Sequence, residues 1–135
     1  MNSVADIALP RRGDVLRWSL LAIAAGTVAS GILLIVAQRF ILDILSAPTT
    51  TSDRLFFGII GMFMAVVGGA LTQTLLSRQP SSLVVGWSAV QKLCASGAMA
   101  LAVSIGVFSY YGTILSGFDF CSALLAIGYW LRTRR

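Results

Sequence analysis

The chain has 135 residues, of which 57% are hydrophobic and only 11% charged, and its mean hydropathy is +0.87. A soluble domain carries about 25% charged residues, so this chain lacks the polar surface for a water-facing globule, and a bilayer is its natural solvent. Its net charge of +5 sits at the edges of apolar runs rather than in a stripe, which argues against nucleic acid, and the absence of histidine removes imidazole ligands and Ser-His or Cys-His catalysis.

Residues 1–15 read as a short cytoplasmic segment. The first apolar run, residues 16–36, is long enough to cross a ~30 Å hydrocarbon core at ~1.5 Å per residue. It exceeds the ~7–15 residues of a secretory h-region and no A-x-A site follows, so it reads as a membrane helix rather than a leader. Beyond it, Phe40, Ile41, Ile44 and Leu45 share one helical face and Arg39 and Asp43 the other, which predicts a short extension lying at the membrane surface. Residues 47–51 (APTTT) break it. The second run covers 55–76, and residues 77–83, with Pro80 and two serines, suit the end of one helix and the cap of the next. The third covers 84–108, interrupted only by Gln91 and Lys92. The fourth covers 112–131, although Ser116-Gly117-Phe118-Asp119 matches a Ser-x-x-Asp capping form and would start that helix near Gly117 instead. The expected fold is an all-α, single-domain, four-helix integral membrane bundle.

Orientation follows from the arginines. Arg11, Arg12 and Arg17 precede the first helix, Arg78 lies between the second and third, and Arg132, Arg134 and Arg135 close the chain. The other side receives only Arg39 and Arg54, beside Asp43 and Asp53, so the basic side and both termini are expected in the cytoplasm, with the chain in the cell (inner) membrane. Trp18, Trp87 and Trp130 fall at the cytoplasmic helix ends and Tyr110 and Tyr111 at the outer interface, depths that suit aromatic rings with a polar edge.

Apolar side chains gain little by leaving lipid for one another, so close backbone approach must supply the packing. Small residues recur at four-residue spacing as Ala22, Gly26 and Ser30, as Gly61, Ala65 and Gly69, and as Ala98, Ala102 and Gly106. Each set is expected to pack within the bundle or to serve a homodimer contact.

Ionisable groups inside membrane helices are costly and suggest function by default. Lys92 and Asp119 come out ~12 and ~18 Å deep by residue count, close enough for a lysine stem to bridge, with Gln91 as a further polar group. One reading is a polar site where Asp119 takes a proton or cation and Lys92 competes for it. The plainer readings are a structural pair, a Lys92 that snorkels to the interface, or an Asp119 in the first turn of a capped helix. Cys94 and Cys121 lie at similar depth, without a CxxC, and a redox role for them is the weakest idea.

No nucleophile-base pair or metal-ligand cluster stands out, and no cofactor is implied. The leading expectation is a non-enzymatic structural or accessory component whose partners are the bilayer and other membrane proteins. A small transporter or proton-coupled carrier using the Lys92–Asp119 pair is the alternative. Beyond the residues themselves, Arg39-Phe40-Ile41-Leu42-Asp43, Arg54 followed by Leu55-Phe56-Phe57-Gly58, and Arg78-Gln79-Pro80, with Lys92 and Asp119 after them, resemble small bacterial four-helix membrane proteins in the broad neighbourhood of the DoxX-like proteins. That resemblance covers most of the chain from Leu16. It implies a membrane location and four helices, and no activity.

Overall fold

The computed structural model describes residues 14–47 and 49–133. They form an all-α fold of five helices: α1 (Val15–Val36), α2 (Gln38–Ile44), α3 (Thr51–Leu76), α4 (Ser82–Ser104) and α5 (Tyr111–Thr133). Arg11, Arg12, Arg134 and Arg135, part of the orientation argument, lie outside the described residues.

The helix ends obey local capping chemistry more than apolarity. Asp14 caps α1 by accepting from the Arg17 N–H. The second long helix starts earlier than its apolar run because Thr50 and Asp53 form a capping box, the Thr50 hydroxyl accepting from Asp53 N at 3.2 Å and Asp53 accepting from Thr50 N at 3.0 Å. The third ends earlier than its run. Gly106, at φ +75°, sends the chain out of α4, while Gly106 N donates to Val103 O at 3.1 Å and Val107 N to Ala102 O at 2.9 Å. This Schellman arrangement satisfies two terminal carbonyls and needs a residue that tolerates positive φ. The surface extension is a separate helix, α2, which tucks Leu42 into the fold together with the following Leu45 and leaves Phe40 and Ile44 exposed.

Two antiparallel hairpins make up the bundle. In the first, α1 and α3 run so close that a Cβ placed on Gly31 would lie 2.5 Å from Gly61 O and 2.7 Å from Ala65 N. Gly68 meets Val28 and the Ala24 carbonyl one turn further along. The packing line is therefore Ala24, Thr27 and Gly31 against Gly61, Ala65 and Gly68. Of the two expected stripes, Gly61 and Ala65 lie on this line, whereas Gly69 and Gly26 meet nothing within 4 Å and Ala22 and Ser30 are exposed, so those four do not pack within the chain. A strict four-residue repeat drifts round a 3.6-residue helix, whereas alternating steps of three and four keep one face on the partner. The expected Ala98–Ala102–Gly106 line is also not a seam within the chain. Ala98 is exposed, and Gly106 belongs to the turn.

The hairpins meet at one end through a buried cluster of Leu20, Ala24, Leu71, Leu75, Val85, Ala89, Ala126 and Tyr129. Polar ties close the same end. Arg17 donates from Nε to Leu75 O and from Nη2 to Ser77 O, both at 2.7 Å, covering carbonyls that the end of α3 leaves open. Ser81 N donates to Thr74 Oγ1 at 2.7 Å, and Arg132 pairs with Asp14 at 3.2 Å. Arg17, Arg78 and Arg132 consequently share this end of the bundle. At the opposite end Ser109 N donates to Leu45 O at 2.8 Å, and Phe57 meets Phe108 edge-on with ring centres 6.0 Å apart.

Three helices, α1, α3 and α5, are long and apolar enough to cross a membrane by length and composition. The fourth expected crossing, α4, has 23 residues, as many as α5, but Gln91, Lys92 and four serines dilute its apolarity.

Candidate functional site

The α4–α5 hairpin carries the polar residues. Its inward lines also alternate by three and four: Val85, Ala89, Lys92 and Ser96 on α4, and Gly112, Ser116, Asp119, Ala123 and Ala126 on α5. All of these are buried except Asp119, which is half-buried. Small residues make up most of the α5 line and half of the α4 line, so short side chains can reach across. Gly112 opens the α5 line, where a Cβ would sit 2.7 Å from Val103 and 3.2 Å from Met99.

Midway along, Lys92 Nζ donates to Asp119 Oδ1 at 2.6 Å. The lysine side chain is 9% exposed and the aspartate 22%. Nζ also lies 5.9 Å from the centre of the Phe118 ring, whose negative face adds a weak attraction. One turn towards the α4–α5 loop, Ser96 and Ser116 bond reciprocally. Ser96 Oγ donates to Ser116 O at 2.9 Å, and Ser116 Oγ donates to Ser96 O at 3.0 Å. Ser122 Oγ returns to Phe118 O on its own helix at 2.7 Å.

These contacts decide between the sequence alternatives. Lys92 turns to Asp119 and does not snorkel. Ser116 and Asp119 are not a helix cap, because α5 begins at Tyr111 and both residues lie well inside it. Gln91, adjacent to Lys92 but about 100° round the helix, is half-buried and has no hydrogen-bond partner among the described residues. Cys94 and Cys121 are free thiols on exposed positions.

Three residues escaped the sequence reading. Ser96 carries no sequence motif and Ser116 reads there only as a possible helix cap, yet each lies one turn from a charged residue on the same face, which is the pattern that points to their contact. Arg17 counted only towards orientation. Its role as a clamp on the end of α3 depends on a partner about sixty positions away, which no local pattern reveals.

The arrangement can neutralise two charges within an apolar layer and fix the register of two helices. Only one carboxylate oxygen is used: Asp119 Oδ2 accepts no hydrogen bond from the described residues. No group of metal-binding type occurs among the described residues. Compared with known proteins, the chain matches no family model, no curated protein and no solved structure.

Proposed function

We propose that this chain is a four-crossing component of the cell (inner) membrane, with both termini cytoplasmic, acting as a non-enzymatic structural or accessory partner of other membrane proteins. The observation that carries this reading is the closed polar line of the second hairpin. Lys92 and Asp119 neutralise each other directly and Ser96 and Ser116 satisfy each other, so both charges and both inward serines of the hairpin are engaged within it. A neutralised Lys92 also makes α4 acceptable as a fourth crossing, since a paired lysine costs far less in lipid than a free one. Its 23 residues span ~34 Å, enough for the hydrocarbon core. The arginines gathered at one end favour the cytoplasmic side for that end, and the weak DoxX-like resemblance agrees with such a membrane protein.

Impermeant maleimide labelling of Ser46→Cys and Ser81→Cys, in a Cys94→Ala, Cys121→Ala background and in membranes of known sidedness, tests the topology. Outside labelling of the first and cytoplasmic labelling of the second are expected. The reverse result, or the same side for both, overturns it.

A second reading, a proton-coupled carrier, draws on the unengaged Asp119 Oδ2 and the 22% exposure of that side chain. Proteoliposomes with an entrapped pH dye separate the two. The accessory reading expects proton leak equal to that of protein-free vesicles, whereas leak abolished by Asp119→Asn favours the carrier.

A further inference from the structure

Away from the ion pair, an open groove of about 360 Å³ runs down the outer face of the second hairpin. Leu83, Trp87, Val90 and Leu93 of α4 and Ile127 and Trp130 of α5 form its walls. A Cβ on Gly86 would lie 3.1 Å from Trp130 Nε1, so glycine at this position lets the indole lie back against α4. Trp87 stands 66% exposed on the other side.

We infer that this groove seats an acyl chain of one anionic phospholipid, drawn from the leaflet on the side of the α3–α4 loop. Three observations select that occupant. The first is length. The groove follows α4 from Ser82 to Leu93, a rise of ~16 Å, which matches half of a ~30 Å hydrocarbon core and hence a single leaflet. The second is the polarity gradient. The walls are aliphatic at the deep end, Trp87 and Trp130 lie about level with Gly86, between the deep end and the shallow one, and Ser82 lines the shallow end.

The third is charge. Among the described residues this end of the bundle holds Arg17, Arg78 and Arg132 against one acid, Asp14, and Arg78 lies exposed in the loop leading into α4. The first turn of α4 contains no acidic residue, and Ser81 makes no side-chain cap bond to it. A phosphate at the shallow end would meet a positive potential, and a headgroup without a compensating cation gains most from it. The inference rests on the membrane reading, but not on which side of the membrane the loop faces.

Brominated lipids, which quench tryptophan on contact, provide the test. A Trp18→Phe protein keeps Trp87 and Trp130 as reporters and is reconstituted into bilayers of phosphatidylcholine. Brominated phosphatidylglycerol is then exchanged in, and brominated phosphatidylcholine in a parallel series. Preferential, saturable quenching by the anionic lipid is expected, with a relative binding constant of about fivefold for one engaged arginine. Arg78→Gln should lower that ratio, and Val90→Phe, which fills the groove, should weaken quenching by the anionic lipid alone.

Equal quenching by both lipids in the Trp18→Phe protein overturns the inference, because the groove then sees only bulk lipid. Dimer cross-linking through Val90→Cys in the bilayer also overturns it, by placing a second copy in the groove. Failure of the protein to reconstitute at all would count against the membrane reading itself and is visible on flotation before any quenching is measured.

Discussion

Replacing Asp119 by leucine would strand the Lys92 ammonium in the apolar layer, and replacing Lys92 by methionine would strand the carboxylate. A lysine at the centre of a membrane helix costs ~2.5–3.5 kcal/mol on insertion scales. In the native fold that cost is offset by a 2.6 Å charge-assisted bond between side chains that are 9% and 22% exposed. Losing one partner of a buried pair typically costs ~3–5 kcal/mol; the residual exposure of Asp119 moves the expectation to the lower end. Asp119→Leu should therefore lose about 3 kcal/mol, and Lys92→Met about 2 kcal/mol because the carboxylate it leaves behind is the more exposed partner, at 22% against 9%.

The two changes together remove both charges and should return to within about 1 kcal/mol of the parent protein. A coupling of about 4 kcal/mol follows, well above the ~1.7 kcal/mol maximum typical of side-chain hydrogen bonds between membrane helices. Unfolding in mixed micelles with increasing dodecyl sulfate, followed by circular dichroism, measures all four corners of the cycle. Coupling below ~0.5 kcal/mol, so that the single losses simply add, would refute the claim that the pair holds the hairpin.

Other consequences are simpler to check. Gly61→Ala should cost about 1–3 kcal/mol in the same assay, because its Cβ would lie 2.5 Å from Gly31 O and force the helices apart. Gly26→Ala, with nothing within 4 Å, should be neutral or gain up to ~1 kcal/mol from helix propensity. Arg17→Ala should lose about 2 kcal/mol with its two bonds to the end of α3, and Arg17→Lys should not restore it, since one ammonium cannot copy the guanidinium fork. Gly106→Ala should lose about 1 kcal/mol at φ +75°, with Gly106→Asn milder; thermal melting in detergent ranks the two.

Composition and the length of the apolar runs were enough to determine an all-α chain built for lipid, because the bilayer demands both apolar length and internal backbone bonding. They also placed Lys92 and Asp119 at compatible depths, since rise per residue is fixed. Helix ends were the least legible feature, since the Ser-x-x-Asp form at Ser116 lies well inside α5. Thr50 and Asp53 spell a capping box that the search for apolar runs passed over, and Gly106 was assigned to packing although it ends α4.

Tertiary structure alone decided which small residues touch. Gly68 rather than Gly69 lies on the seam because the facing helix selects alternating steps of three and four. It also chose the partner of Lys92 over the interface, and brought Arg17 to carbonyls of a helix far along the chain. A sequence fixes the rise and the face of each helix. The rotation of one helix against another is settled only when both surfaces are packed together.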